Sequence, residues 1–326
     1  MFNPFLPKVA FIYLSGTLGS ACWWYRIQLP KVYYALCGGS VVGLAEADII
    51  HVARLGAATR LDTLKKLKDD GKKIIYDLDD DFWLLRSDVY DKAVPGYVDI
   101  VNNTASLCDA AIVTNQSLAD QVTVMTGKPV YIAPNFLCTK SWTENSIKLP
   151  DLGYKPTLLA SGNDGHINDF KLLAKIMRLP EMMQFQLIIW GSEHLKNIVP
   201  GSIWMPRVDL KSYFSTLLEL GKLLNIIGVI PLEDIGFNKS VSRLKWMEYT
   251  YAGIPGIYSN LAEYPEYANC TVPGNATAKQ WAEQIVDAYE RRQEILAKDK
   301  QRLTEVGYMD TGVKYWEDIF LSVAHG

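Results

Sequence analysis

Short blocks of β-branched and aromatic residues alternate along this chain with stretches whose apolar residues fall three or four apart. No other feature limits the fold as much. Lys8–Leu14, Asp48–Ala53, Lys73–Leu78 and Ala110–Thr114 have the length and composition of strands, while Trp23–Leu36, Thr59–Asp70, Val98–Leu107 and Gln116–Thr126 have helical spacing. Gly71 stands where a helix C-cap glycine belongs. Regular strand–helix alternation predicts a parallel sheet covered on both faces. The periodicity lapses over Asn135–Pro156, which carries Pro, an LPD turn and Gly153 and reads as a linker. It then resumes: strands at Thr157–Ala160, Gln186–Trp190, Ile203–Met205, Asn225–Pro231 and Gly256–Ser259, helices at Asn168–Met177, Leu210–Glu219 and Val241–Tyr251. Two closing helices are expected over Ala276–Leu303, with a break, and Thr311–Ala324. The boundaries are therefore 1–140, 155–308 and a last helical segment, 309–326.

Length agrees with two units, since 326 residues exceed one ordinary core. Thirty-three basic against 36 acidic side chains give a net charge of −3, which excludes a globally basic nucleic-acid coat but not a local patch. No apolar run reaches the roughly 18 residues of a membrane span, and MFNPFLPKVAFIYLSG reads as a first strand rather than a secretory leader. Five cysteines without a C-x-x-C pair and four histidines without ligand spacing point to reduced thiols in a cytoplasmic protein and away from a zinc enzyme.

The stretch richest in chemistry is Ile230–Asn260, IPLEDIGFNKSVSRLKWMEYTYAGIPGIYSN. A strand ends at Pro231, a polar loop with Gly236 follows, and a helix begins near Lys239–Ser242. That helix places Lys245 and Glu248 on one face and stops at Gly253-Ile-Pro255. Amides at such a helix start hold phosphates, and an acidic residue further along accepts from ribose hydroxyls. The plainer alternative leaves both side chains as a surface pair.

These residues resemble the nucleotide-sugar-binding region of GT-B glycosyltransferases of the family 4 type. Glu248-Tyr-Thr-Tyr-Ala-Gly253-Ile-Pro255 is similar to the family's Glu, small-residue helix end and G-x-P. Pro231-Leu232, Phe237-Asn238, Ser242, Lys245-Trp246 and Glu248 match a subgroup reading PL…FN…S..KW.E…GIP. The resemblance implies an α/β protein of two Rossmann-like, doubly wound domains facing across a cleft. The first domain would hold the acceptor and the second the donor, and the last helix would cross back to the first. It further implies that Glu248 binds the donor ribose, with Asn238, Ser242 and Lys245 near the diphosphate and Phe237 beside them. The family's earlier Glu, eight positions before Glu248, is Ser240 here, and the Lys that the subgroup places before its Ser is Val241; Lys239 and Arg243 are candidates to supply that charge.

Other segments fit the same resemblance. Ser161-Gly162-Asn163-Asp-Gly-His166-Ile-Asn-Asp169 is similar to the subgroup's S-G-x…H-x-x-D turn, so Gly162, Asn163 and His166 join the donor candidates, while Asp169 (or Asn168) reads best as a helix N-cap. Gly191 ends a strand where backbone approaches a ligand or turns, and Arg207 is a candidate for stabilising the leaving diphosphate. In the first half, Gly16-Thr17-Leu-Gly19 is too sparse for a nicotinamide site and is assigned to the acceptor side. Tyr25-Arg26 and the Asp48…Arg54 strand end resemble further subgroup motifs. Arg26 and Arg54 are either oxyanion ligands for an acceptor or structural ion pairs.

Tyr76-Asp-Leu-Asp79-Asp80-Asp81 invites a metal reading, because acidic residues after an apolar strand resemble the D-x-D of GT-A enzymes. The same Y-D-x-D-D-D occurs on the acceptor side of the GT-B subgroup, which favours acceptor binding (Asp81), with assistance to hydroxyl deprotonation (Asp79, Asp80), or plain loop structure as a solvated turn, over metal. The catalytic candidates are thus Asp79, Asp80, Lys245 and His166. The reaction implied is sugar transfer from a UDP- or GDP-linked donor to a hydroxyl, with retention, without a cofactor and without a metal. The acceptor is a glycan or, as the alternative, a hydroxymethylated DNA base, for which Lys65, Lys66, Lys68, Lys72 and Lys73 could offer a local phosphate-binding face, although a solvated helix face is the more usual reading of such a run. A catalytically silent nucleotide-sugar-binding or glycan-binding module is the rival from another class, supported by Ser240.

Overall fold

The computed structural model describes residues 5–14, 21–54, 60–84, 95–138 and 146–326, apart from the side chains of 309–311. They fall into two compact units, Met1–Cys138 with Tyr308–Gly326, and Thr139–Gly307.

The first unit is built on a parallel sheet of β1 (Lys8–Tyr13), β2 (Ser40–Val41), β3 (Ile49–Ala53), β4 (Lys73–Leu78), β5 (Ala110–Val113) and β6 (Val130–Ile132), in the order β2-β1-β3-β4-β5-β6. β3 and β5 are buried along their whole length, as apolar blocks covered on both faces must be. The order reverses direction between β1 and β3, so right-handed crossovers place helices on opposite faces. Helices Leu61–Asp69, Tyr97–Leu107 and Gln116–Thr126 pack side by side, and Leu29–Leu36 packs with Met309–His325. Gly71 adopts φ +79° just past the end of Leu61–Asp69 and donates to the Lys68 carbonyl, which is the predicted cap.

The second unit holds β7 (Thr157–Gly162), β8 (Gln186–Gly191), β9 (Ile203–Pro206), β10 (Ile226–Ile230), β11 (Gly256–Ser259) and β12 (Thr271–Val272), all parallel, in the order β12-β11-β10-β7-β8-β9. This is the strand order of dinucleotide-binding domains, reversing between β7 and β10, whereas the first unit has the other common doubly wound order. Leu158, Ala160, Ile227 and Val229 from the sheet pack against Phe170, Leu173, Trp281 and Ile285 of helices Ile167–Met177 and Ala278–Glu290. Helices Leu210–Gly221, Leu244–Ala252 and Arg292–Val306 form the second helical layer. The long closing helix breaks at Arg291, and Ala278–Glu290 starts on a Thr277–Gln280 capping box.

Three strands went unread in the sequence, β2, β6 and β12. They have two, three and two residues, too few to show a period. Helix Leu244–Ala252 starts later than its pattern suggested, because Gly236–Lys239 forms a separate helical turn before it.

Candidate functional site

In an open parallel sheet, ligands bind outside the carboxyl ends of the strands where the order reverses. In the second unit that point lies between β7 and β10, and most of the donor candidates sit around it. Gly162 ends β7 in register with Gly191 at the end of β8. A Cβ on Gly191, whose φ is +150°, would lie 1.9 Å from the Gly162 carbonyl oxygen, and one on Gly162 would lie 2.8 Å from the Phe170 ring. Both positions thus need glycine for strand and helix packing. Asn163 follows, its side chain accepting from the Gly165 amide at 2.9 Å and starting the turn Asp164–His166.

Asp169 does not cap its helix, contrary to the sequence reading. It is 5% exposed, and Oδ1 accepts from the Glu233 amide at 2.7 Å and from Asn238 Nδ2 at 2.9 Å. Its Oδ2 meets His166 Nδ1 at 2.7 Å. Asn238 Nδ2 also donates to the Glu233 carbonyl at 2.9 Å. The carboxylate therefore draws the loop after β10 onto the start of helix Ile167–Met177, and His166, Asn238 and Phe237 come together there. The His166 and Phe237 rings lie 6.1 Å apart.

The helix Leu244–Ala252 brings Lys245 and Glu248 to one face, as the three-residue spacing predicted. Lys245 Nζ donates to Glu248 Oε2 at 2.8 Å and to the Tyr213 hydroxyl at 3.0 Å, and that hydroxyl donates to the same Oε2 at 2.9 Å. The Glu248 side chain is almost fully buried, while Lys245 keeps 30% of its own exposed. Burial is the largest single influence and works against the Lys245 charge, but the charge and hydrogen bond of Glu248, with Tyr249 and Tyr264, together hold the ammonium above its ordinary pKa. Burial first, then the Glu248 charge, pushes the Tyr213 hydroxyl well above its ordinary value. Tyr213 therefore acts as a neutral donor.

Ser240, standing where the resembled family has its earlier Glu, is buried, and Ser242 is half-buried. The two candidates for the missing charge differ: Lys239 is exposed and Arg243 is buried. Lys239 Nζ is 3.2 Å from Asp234. Arg243 is 3% exposed, donates to the Val306 carbonyl at 3.0 Å and stacks over Tyr267 at 4.2 Å. Arg207 is exposed just beyond β9.

At the start of this helix the Arg243 amide donates to Glu263 Oε2 at 3.0 Å. Burial pushes the Glu263 carboxyl up to about 7, against the pull of the Arg243 charge and amide and with a further rise from Glu266. A carboxyl raised in this way contributes stability that is complete below its ordinary 4.5 and is lost as pH climbs through about 7. Glu263→Gln, neutral at every pH, is expected to gain on the wild type from about pH 5 to 8, reaching on the order of 2 kcal/mol. Thermal midpoints of both chains across that range check it; parallel curves would refute it.

In the first unit, Gly16 and Thr17 lie outside the described residues. Tyr25 and Arg26 are 4% and 1% exposed. Arg26 is a structural ion pair, the alternative left open by its sequence. Its Nε donates to Asp77 Oδ1 at 2.8 Å and its Nη1 to the Ala133 carbonyl at 2.7 Å. His51 Nε2 lies 2.8 Å from the other Asp77 oxygen, and Trp316 of the last helix covers the guanidinium at 5.0 Å. Sequence reading missed both Asp77 and His51, because neither stands out from a buried strand until the strands are set side by side.

Arg54 is placed differently. It has φ +74° at the end of β3, where Nη1 reaches Asp79 Oδ1 at 3.0 Å and Asp80 Oδ2 at 2.7 Å. The two carboxylates thus share a guanidinium, and Asp80 keeps 31% of its side chain exposed. Asp81 serves its own loop: it is 1% exposed and Oδ1 accepts from the Trp83 and Leu84 amides at 3.1 and 3.2 Å. Burial raises its pKa against those two amides, with Asp80 adding to the rise. Among the described residues, no group of three or more His, Cys, Asp or Glu side chains is placed to hold a metal ion, and no helix is long and apolar enough to cross a membrane.

The sequence matches no family model and no curated protein sequence. Solved structures do resemble the fold. Anabaena HepE, solved in complex with UDP and glucose, is 12% identical with a TM-score of 0.64, over 97% of this chain and 100% of that one. An alpha-glucosyltransferase in complex with UDP-glucose and DNA containing an abasic site is 11% identical with a TM-score of 0.62, over 97% and 99%. Sucrose-phosphate synthase from Thermosynechococcus elongatus is 15% identical with a TM-score of 0.60, over 90% and 76%. All three are glycosyltransferases. With its two parallel six-stranded α/β units, the chain has the GT-B fold.

Proposed function

We propose that the chain transfers a sugar from a nucleotide-sugar to a hydroxyl acceptor, with the donor held by the Thr139–Gly307 unit. The observation that carries this reading is the Lys245–Glu248 pair, set on the helix that follows β10 in a sheet of dinucleotide-binding order. In this reading the buried Glu248 carboxylate accepts from the donor ribose. Lys245, still 30% exposed, meets the diphosphate together with Ser242, Arg207 and loop amides near Gly162, Asn163 and Asn238. A cation and amides already in place stabilise the leaving diphosphate without reorganising during the reaction. His166, fixed by Asp169, orients the transferred sugar, with Phe237 and Ser240 beside it and Gly191 letting backbone approach. On the acceptor side, Asp79 and Asp80, paired with Arg54, assist the attacking hydroxyl. Retention of configuration and independence from metal follow from the same reading, and a divalent ion would be detected as chelator-sensitive turnover.

The structures solved with UDP favour a UDP-linked donor. A glycan acceptor comes first. The likeness to an enzyme solved with DNA supports the second reading, a DNA base, and salt-dependent binding of duplex DNA separates the two. Incubation with a panel of UDP- and GDP-sugars, reading hydrolysis and transfer, tests the whole proposal. At least one donor is expected to turn over, and Glu248→Ala to bind it about tenfold more weakly, the worth of a hydrogen bond to a buried carboxylate. Saturable binding without turnover on any acceptor would leave a silent binding module. No binding of any donor would end the reading.

A further inference from the structure

No motif marks Tyr213, which lies in the helix Leu210–Gly221, outside the stretch that carries the Lys245 and Glu248 pattern. The fold nevertheless places its hydroxyl between those two side chains. A phenol has one proton to give, and here Glu248 Oε2 takes it at 2.9 Å, while the phenol oxygen accepts from Lys245 Nζ at 3.0 Å. Lys245 closes the ring on the same Oε2 at 2.8 Å. One oxygen of a buried carboxylate thus receives two donors, which sets the plane of the group. The phenol ring is held in turn. Trp190 lies 4.6 Å away, Phe214 5.5 Å, and the Lys245 ammonium sits 4.9 Å over the ring. Trp190 is anchored through its Nε1 to the Pro206 carbonyl at 2.8 Å. The direction of the Glu248 carboxylate therefore traces back through Tyr213 to the ends of β8 and β9.

We propose that Tyr213 is a positioning residue that fixes Glu248 for a ribose, so that the site selects ribonucleotide over 2′-deoxyribonucleotide donors. The inference rests on the donor reading above. A site built to hydrogen-bond a substrate hydroxyl rejects the analogue lacking it, because its own buried acceptor is then left unmatched. That penalty applies only while the carboxylate cannot turn away to another partner. Without the phenol, Glu248 Oε2 loses one of the two donors that hold it, and the carboxylate gains freedom to turn and discriminates less. An acceptor set in place beforehand also saves the ordering cost of binding.

Calorimetric titration of the full chain with the pairs UDP and dUDP, and GDP and dGDP, tests this. The wild type is expected to favour the ribonucleotide by about tenfold. Tyr213→Phe, which keeps the ring against Trp190, is expected to narrow that preference to about twofold by weakening the ribonucleotide alone. Replacement of Tyr213 by 3-fluorotyrosine keeps the donor and is expected to keep the preference; it also carries the test if the Phe chain does not fold. An unchanged preference in Tyr213→Phe, equal weakening of both members of a pair, or loss of preference with 3-fluorotyrosine overturns the role of Tyr213 and leaves the donor reading standing. Absence of nucleotide binding by the wild type overturns both.

Discussion

If the chain transfers sugar as proposed, Lys245→Met is expected to lower transfer by about 10²- to 10³-fold, the loss that follows removal of one pre-placed group facing a developing anion. Two effects add in the same direction. The cation that, in the proposed function, meets the departing diphosphate is gone. The Glu248 carboxylate, with its side chain 2% exposed, also loses the ammonium that lay 2.8 Å away, and a buried charged group stripped of its counter-ion destabilises the site. The methionine side chain replaces most of the apolar stem, so packing over Tyr213 largely survives. Lys245→Arg is the informative contrast. It retains the charge but not the compact ammonium that reaches Tyr213 and Glu248 together, and an intermediate loss of roughly tenfold is expected. Turnover with the best donor of the panel, at saturating donor, measures all three. A Met variant within threefold of the wild type would remove Lys245 from the chemistry.

The largest effect on stability is expected in the other unit. Asp77→Ala removes the carboxylate shared by Arg26 at 2.8 Å and His51 at 2.8 Å, all of them within 1% exposure. An arginine cannot shed its charge, so its guanidinium is left buried with two neutral hydrogen-bond acceptors among the described residues, the Ala133 carbonyl and the Asn135 side-chain oxygen. Removing one side of a buried ion pair costs about 3–5 kcal/mol. Asp77→Asn keeps the shape and one acceptor and is expected to cost about half as much. Urea unfolding, with a probe on the first unit, decides between them; a midpoint within error of the wild type for Asp77→Ala would show that the pair is not a source of stability. His51, whose Nδ1 has no hydrogen-bond partner among the described residues, loses its hydrogen bond to Asp77 in the same variant.

How much of this was legible in the sequence depended on range. Strands such as Ile49–Ala53 and helices such as Gln116–Thr126 announce themselves through their own residues, because burial on two faces or one face leaves a local period. The Lys245–Glu248 pair was equally readable, since both partners share a helix turn. Asp169 was not. As a carboxylate at the start of a helix it looked like a cap, but its partners Glu233 and Asn238 lie 64 and 69 positions away. Tyr213 and Glu248 are 35 apart, and Arg26 and Asp77 51 apart. No spacing rule joins such pairs; the sheet order does. Arg26 shows the converse, a motif residue whose chemistry is spent inside its own unit.

The place of the helix Met309–His325 has a consequence in time. Its Trp316 and Phe320 are buried against Phe11, Tyr34 and His51, residues made more than 250 positions earlier in the chain. That helix leaves the ribosome only after the whole of Thr139–Gly307. The second-made unit can therefore close first, while the first-made one waits with one apolar face of β1 and β3 uncovered. Closure over so long a separation is slow, and a waiting apolar face is open to wrong partners. Yield of this protein should thus be sensitive to translation speed and chaperone supply, and a chain stopped before residue 309 should lose its older half rather than its newer one.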